Sequence, residues 1–320
     1  MTVYTHSIQQ LTVPTPFSVG DVHAYLLKGE TLSLIDAGIK TSEAWRALKT
    51  QLKACGYLPR DIEQIILTHH HPDHTGLIDQ FPRVKTIAAH PEVNIWLKKD
   101  KAFLQRYEHF FKTAFTHWGV PEHYVSSLDK QRLSLQYAGN GEVTDIIQEG
   151  DCLPGHPDFH VFETKGHAQT HLSFLRKDDG AFFAGDHLLP HIASNPLMEA
   201  PYNPKDNRPK PLLQYRRNLR KCLNLPIQTV YPGHGAIFSD FHTLIAKRLK
   251  KQENQANKLL TFMVHMPQTP FQLCMQLYPH RYTELLDLTM SQTVSLLDFL
   301  HENHFVDRTI KNDIVYFQAL

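Results

Sequence analysis

The strongest constraint on the fold is a short apolar strand that runs directly into a histidine-rich segment. Residues 64–67 read Gln-Ile-Ile-Leu, a compact run typical of a buried strand, and residues 68–76 follow as Thr-His-His-His-Pro-Asp-His-Thr-Gly. Upstream, residues 23–28 and 31–36 are short and apolar-rich with Gly and Glu between them, which indicates a hairpin, and residues 42–56 have helical spacing. Strand, helix and strand in this order favour an α/β fold.

The histidine-rich segment has the residue types and the spacing of a metal site. Residues that follow a buried strand are held by the sheet but are free of its hydrogen bonds, so their side chains can converge. His69 and His71 alternate along extended chain and can reach the same side. A proline then forces a turn, after which Asp73 and His74 present an oxygen and a nitrogen for another ion. We expect His70 to point away from the site.

Three later fragments repeat this context, an apolar run that ends in a glycine and a candidate ligand. They are Gly166-His167, Gly185-Asp186 and Gly233-His234. Each glycine lets the backbone turn sharply beside the ligand. The chain has 22 histidines but 4 scattered cysteines without a C-x-x-C pair, so a thiolate site is not indicated. Nitrogen and oxygen ligands suit Zn²⁺, with Fe²⁺ or Mn²⁺ as alternatives.

Together with Asp36 in Leu-Ile-Asp-Ala-Gly, these motifs resemble, in number and order, those of the metallo-β-lactamase superfamily. The resemblance covers residues from about 14 to 238 and implies an α/β fold, a four-layer αββα sandwich with the site at one edge. It implies the following ligands: His69, His71 and His167 for a first ion, Asp73, His74 and His234 for a second, and Asp186 bridging the two. Asp36 would orient a ligand histidine through a hydrogen bond.

The activity implied by the resemblance is dinuclear metal-dependent hydrolysis. In this reaction a hydroxide held between the two divalent ions attacks the substrate. The resemblance implies Asp73 and Asp186 as the catalytic carboxylates. Our first hypothesis is cleavage of a small-molecule ester, thioester or lactone, in the manner of glyoxalase II-like thioesterases and lactonases. The first alternative is a single-strand-specific endoribonuclease of the same superfamily. The second is a DNA-binding regulator with an inert hydrolase core, which the complete ligand set disfavours.

A helical insertion is predicted at about residues 91–148, within a catalytic domain of residues 1–239. Aromatic residues recur in it three or four positions apart, among them Phe103, Tyr107, Phe110 and Phe111. Core packing is one interpretation of this stripe. An apolar acyl-binding lid over the site is the other, and it predicts that Phe110→Ala raises KM for an acyl ester.

Residues 240–320 are predicted to form a helical, winged-helix-like module in which Ser291 opens a helix and a short hairpin follows. From Phe241 to Leu320 there are eight Lys or Arg and seven Asp or Glu, and the candidate recognition helix bears Asp298 and Glu302. Such a surface is poor for DNA phosphates, so packing or homodimer formation is favoured. The basic cluster from Lys205 to Lys221 is either a solvated helix face or a means of capturing an anionic substrate.

The overall composition limits the partners. Lys plus Arg (33) nearly balance Asp plus Glu (32), a formal charge of +1, which argues against a protein held to nucleic acid mainly by phosphate neutralisation. No run approaches the about 18 consecutive apolar residues of a membrane span. We therefore expect a cytoplasmic protein with a small-molecule substrate, for which an anion is one option, with no membrane partner and with RNA as an unfavoured partner.

Overall fold

The computed structural model describes residues 8–125 and 134–320. Residues 1–7 of the predicted catalytic domain and residues 126–133 of the predicted insertion lie outside the described residues. The first sheet has the strand order β1-β2-β3-β4-β5-β6. Its strands are β1 (Ile8–Val13), β2 (Val22–Lys28), β3 (Leu32–Ile35), β4 (Gln64–Ile66), β5 (Thr86–Ala89) and β6 (Asp145–Ile146). The β1-β2-β3 pairings are antiparallel, which confirms the predicted hairpin, and those from β3 to β6 are parallel.

The second sheet is also mixed, with the order β11-β10-β9-β8-β7. Its strands are β7 (Cys152–Leu153), β8 (His156–Glu163), β9 (Leu172–Arg176), β10 (Ala181–Gly185) and β11 (Thr229–Pro232). The β10–β11 pairing is parallel, and the other pairings in this sheet are antiparallel.

The two sheets pack face to face because their strands are apolar on both sides. Along β2, Tyr25 and Leu27 point into a core shared with β8, β9 and β10, whereas Ala24 and Leu26 point to the opposite face. Helix α1 (Ser42–Ala54) covers that opposite face, and its first turn is capped where the Thr41 hydroxyl accepts from the Ala44 N–H at 3.1 Å.

The predicted insertion is mostly helical over residues 93–125, whereas its last residues include β6 of the first sheet. Its helices are α3 (Val93–Leu97), α4 (Lys101–His117) and α5 (Glu122–Val125), which follow the single turn α2 (Pro72–Thr75). Phe111 and Phe115 of α4, and Trp118 directly after it, are buried against the C-terminal part of the chain. Helix α6 (Pro211–Cys222) packs on the outer face of the second sheet.

The C-terminal part consists of helices followed by a hairpin. Its elements are α7 (Phe241–Phe262), α8 (Pro270–Leu277), α9 (Leu286–Glu302), β12 (Val306–Lys311) and β13 (Ile314–Ala319). The predicted start of α9 at Ser291 is wrong, because the helix begins at Leu286. Leu286, Met290 and Val294 are buried one turn apart on one face, and this packing outweighs the capping tendency of a serine.

Ion pairs fix the C-terminal part to the rest of the chain and explain most of the basic cluster. Arg208 donates two hydrogen bonds to Asp298, at 2.7 and 2.5 Å, and Lys210 donates to Glu302 at 2.7 Å. In the same cluster, Arg216 pairs with Glu253 of α7 and Lys221 with Glu149. The acidic residues of α9 that make it a poor DNA surface therefore have a structural role.

These observations confirm an α/β fold built on two mixed sheets. The four-layer description, the domain boundary at residue 239 and the winged-helix resemblance stay predictions. Among the helices within residues 8–125 and 134–320, none combines the length and the apolar character that crossing a bilayer requires.

Candidate metal centre

The seven side chains predicted as ligands converge at one edge of the paired sheets. They come from the segment that follows β4 and from the loops that follow β8, β10 and β11. Their ligand atoms form three groups, each within 4.8 Å: His69, His71 and His167; His69, His74 and Asp186; and Asp73, His74 and His234. The first and third groups are the two triads implied by the family resemblance.

Hydrogen bonds at the outer nitrogens fix which atom each histidine presents to the centre. His167 Nδ1 lies 3.1 Å from the Asn195 carbonyl, and His234 Nδ1 lies 2.7 Å from the Asp21 carbonyl. A carbonyl oxygen only accepts, so both Nδ1 atoms carry the hydrogen and both Nε2 atoms keep a lone pair. Such outer contacts are what orient metal-bound imidazoles.

Asp36 fixes two more histidines, as the sequence predicted for one of them. Its carboxylate accepts from the Thr68 N–H at 2.8 Å, from the Thr68 hydroxyl at 2.7 Å and from His74 Nδ1 at 2.7 Å. Because the Thr68 hydroxyl has given its hydrogen to Asp36, it accepts from His69 Nδ1 at 3.0 Å. The Nε2 atoms of His69 and His74 therefore also face the centre.

The spacing of these nitrogens fits a metal better than it fits hydrogen bonding. His71 Nδ1 lies 3.0 Å from both His69 Nε2 and His167 Nε2, although the latter two atoms are lone-pair acceptors. One hydrogen at most is available for three nitrogens. Tetrahedral nitrogen ligands at Zn–N distances of about 2.0–2.1 Å lie about 3.3 Å apart. In addition, the buried Nε2 atoms of His74 and His234 have no hydrogen-bond partner among the described residues, so the residues fit a divalent cation.

Asp186 lies between the two triads. Its Oδ2 is 3.4 Å from His167 Nε2 and 3.6 Å from His234 Nε2, and its Oδ1 is 3.4 Å from His74 Nε2. The Asp186 N–H donates to His171 Nε2 at 3.0 Å, so His171 holds the backbone of Asp186 and turns its lone pair away from the centre. His171 therefore supports Asp186 and is not one of the seven predicted ligands.

Burial and charge give the two triads different electrostatics. Burial lowers the pKa of His69 well below its usual range and that of His71 to about 3, so both rings are neutral and able to bind a cation. Burial also acts on His74, but Asp186 and Asp36 outweigh it and raise the pKa of His74 well above its usual range. The carboxylates thus attract positive charge to this part of the site.

A cavity of about 730 Å³ opens on one side of the centre, and its wall is mostly apolar. It contacts the centre at His71 and Asp73, and its far wall is formed by α3, α4 and the segment 197–199. The side chains that make its apolar wall are Phe17, Trp96, Leu104, Tyr107, Phe111, Leu197 and Met198. We call this space the apolar cavity.

The prediction that Phe110 belongs to an acyl-binding lid over the site is wrong, because its side chain does not line the apolar cavity. Phe110 lines an outer groove of about 750 Å³ between α4 and β12–β13, not the cavity next to the centre. The aromatic stripe therefore has two faces, of which Tyr107 and Phe111 reach the apolar cavity. His70 points away from the ligand atoms, as predicted, and its ring stacks on Trp96 at 4.2 Å in the cavity wall.

A second cavity, of about 630 Å³, lies on the other side of the centre. It shares His71, Asp73 and Leu197 with the apolar cavity and extends towards α7 and α9. The centre is therefore reached from two sides.

Sequence reasoning missed Glu199, which is buried in the wall of the apolar cavity. It accepts from the Gln169 N–H at 2.7 Å and from the Tyr202 hydroxyl at 2.9 Å, and burial raises its pKa to about 7. Glu199 lies in the irregular segment between β10 and α6, where no periodicity marks it. The only sequence feature that could have drawn attention to Glu199 is its position as a single charged residue between Met198 and Ala200.

Paired mixed sheets with His and Asp ligands at one edge define the class of this protein. A family model described as metallo-beta-lactamase superfamily matches residues 18–234, and the chain belongs to that superfamily.

Individual relatives agree with this assignment. A protein of Bacillus subtilis (strain 168), described as probable metallo-hydrolase YqjP, is 37% identical over 99% of both chains. An atrochrysone carboxyl ACP thioesterase of Aspergillus fumigatus is 24% identical, and the match covers 77% of this chain and 61% of the relative. The crystal structure of a metallo-beta-lactamase family protein from Thermus thermophilus superposes with a TM-score of 0.81 at 24% identity, over 98% of each chain.

Proposed function

We propose that this protein is a metal-dependent hydrolase that cleaves a small-molecule ester, thioester or lactone with an apolar acyl group. The observation that carries the proposal is the set of inward-facing imidazole lone pairs and carboxylates beside the apolar cavity. Zn²⁺ is our first choice of ion and Fe²⁺ or Mn²⁺ are the alternatives, because all donors are nitrogen or oxygen. Two ions per chain follow from two triads that are linked through Asp186.

Bound divalent cations would lower the pKa of water enough to supply a nucleophile near neutral pH and would polarise the oxygen of the bond under attack. The chain's own residues add position and proton transfer. Asp73 faces both cavities, and its neighbours His74 and His234 lower its pKa against the effect of burial. It is thus an ionised carboxylate beside the place where we expect the scissile group, and it can accept a hydrogen bond from the attacking water and orient it.

The apolar cavity supports an acyl substrate. Each methylene that moves from water into an apolar wall contributes up to about 0.8 kcal/mol, or about fourfold in affinity. The relative from Aspergillus fumigatus is a thioesterase by name, which agrees with this substrate class.

The endoribonuclease hypothesis finds little support in the basic cluster from Lys205 to Lys221. An RNA substrate needs several unpaired cations along its phosphates. In the cluster that offered them, Arg208, Lys210, Arg216 and Lys221 are paired with carboxylates.

A homodimer formed through the C-terminal part remains a proposal, and sedimentation of the purified protein tests it.

The test is a substrate series on the Zn²⁺-loaded protein. We expect hydrolysis of p-nitrophenyl esters and of N-acetylcysteamine thioesters, with kcat/KM rising from acetyl to octanoyl. Leu104→Trp places a larger side chain in the apolar cavity and should lower the ratio of octanoyl to acetyl kcat/KM. Phe110→Trp makes a similar change in the outer groove and is the matched control, with the ratio of wild type.

Two results would overturn the proposal. One is a preference for single-stranded RNA or bis-p-nitrophenyl phosphate over every carboxylic ester, with affinity that falls steeply with salt. The other is an acyl-length profile that is flat in the wild-type protein.

A further inference from the structure

The C-terminal part of the chain has no ligand in either triad, yet it is hydrogen bonded to the support of one ligand. The segment that joins them, residues 195–199, has no regular secondary structure and runs between the metal centre and α9. At one end, the Asn195 carbonyl is the acceptor for His167 Nδ1 at 3.1 Å. At the other end, Glu199 lines the apolar cavity.

Helix α9 holds this segment through two adjacent residues. Gln292 Nε2 donates to Asn195 Oδ1 at 2.8 Å, and Gln292 Oε1 accepts from the Tyr278 hydroxyl at 2.7 Å. Ser291 accepts from the Met198 N–H at 2.6 Å and donates to the Pro196 carbonyl at 3.3 Å. Three of these hydrogen bonds reach the segment and define the path of a stretch that has no strand or helix to define it, and the fourth, from Tyr278, holds Gln292.

The consequence for His167 is geometric. Its ring orientation depends on where the Asn195 carbonyl lies, since that contact selects the tautomer and turns Nε2 towards His71, 3.0 Å away. The Asn195 carbonyl is part of the same residue whose side chain is held by Gln292. A change at Gln292 therefore reaches the first triad through one residue.

We propose that Gln292 is a positioning residue for the metal ligand His167, and that the C-terminal part of the chain is thereby an integral part of the metal centre. This inference rests on the proposed metal-dependent function. It gives the C-terminal part a role in the site that needs neither DNA nor a second chain.

The test compares Gln292→Ala, Asn195→Ala and the double variant with wild type. Removal of a direct partner of a metal-bound histidine typically costs about 10–100-fold in metal affinity. Gln292 acts through one further residue, so we expect each single variant to lose about threefold to tenfold in Zn²⁺ affinity, measured against a chromophoric chelator. The double variant should lose no more than the larger single loss, because both changes break the same link. Gln318→Ala, an exposed glutamine on β13, is the matched control and should bind as wild type does.

A second readout needs no metal. In the metal-free protein, the nitrogen NMR resonances of His167 should report a hydrogen on Nδ1, and Gln292→Ala should shift them towards a mixture of tautomers, whereas Gln318→Ala should not. Wild-type Zn²⁺ affinity in Gln292→Ala, or additive losses in the double variant, would overturn the inference. If the wild-type chain binds no divalent ion, the proposed function fails, and the His167 resonances alone then decide for or against the positioning role.

Discussion

Asp36→Asn perturbs the centre without touching a ligand atom. The amide keeps one oxygen, which can still accept from the Thr68 N–H, but its NH₂ group replaces the oxygen that lies 2.7 Å from His74 Nδ1. Two donors then face each other, so His74 is expected to move its hydrogen to Nε2 and present that hydrogen to the centre instead of a lone pair. The Asp36–His74 hydrogen bond is buried and charge-assisted, a type worth about 1.5–3 kcal/mol.

A loss of that size matches the cost of removing the outer partner of a metal ligand. We expect Zn²⁺ affinity at the second triad to fall by about 10–100-fold, or about 1.4–2.7 kcal/mol. Calorimetric titration of the metal-free protein should show two binding events in wild type. In the variant the second triad should be weakened directly, and the first triad less, through the Thr68 hydroxyl that donates to the same oxygen and supports His69. Asp178→Asn changes an exposed aspartate on a turn and is the control. Unchanged affinity for both ions in Asp36→Asn would refute the reasoning about tautomers.

Three further predictions concern separate parts of the molecule. Burial raises the pKa of Glu199 from 4.5 to about 7, so the folded chain binds a proton that the unfolded chain releases, and stability falls as pH rises through this window. Relative to wild type, Glu199→Gln should therefore gain up to about 3 kcal/mol of unfolding free energy between pH 5 and 8, and a pH-independent difference would contradict this. Asp298→Ala leaves the half-buried Arg208 without its partner and should lower the free energy of unfolding by about 1–3 kcal/mol. Glu302→Ala breaks an exposed ion pair with Lys210 and should lower it by less than about 1 kcal/mol. Equal losses for the two variants in denaturant titrations would refute this difference. Asp186→Ala should abolish turnover and release metal. His187→Ala should retain metal, because His187 is buried outside the ligand groups. Equal metal loss in the two variants, measured by elemental analysis, would mean that Asp186 was wrongly chosen over His187 as the metal ligand.

The ligands could be predicted from the sequence because each belongs to a short local pattern. A buried strand followed by His69, His71, Asp73 and His74 limits the chemistry almost regardless of the rest of the fold. The role of Asp36, which also follows a strand and whose carboxylate meets His74, was implied by the family resemblance. Local geometry and ligand chemistry thus indicated the metal-binding residues, whereas the resemblance assigned them to two ions.

The supports of the site could not be predicted, because they depend on contacts that are distant in sequence. Gln292 meets Asn195 across 97 positions, and Arg208 meets Asp298 across 90. No periodicity marks such partners. The same reason explains the error at Phe110, whose helical spacing placed it on the aromatic stripe but did not say which face of α4 meets the centre.

The most direct test of the account is the metal content of the intact protein. Elemental analysis after purification without chelators should find close to two divalent transition-metal ions per chain, and their removal should abolish ester and thioester hydrolysis until Zn²⁺ is restored. A chain that carries no such ion, or one that hydrolyses these substrates equally well when metal-free, would contradict the central claim.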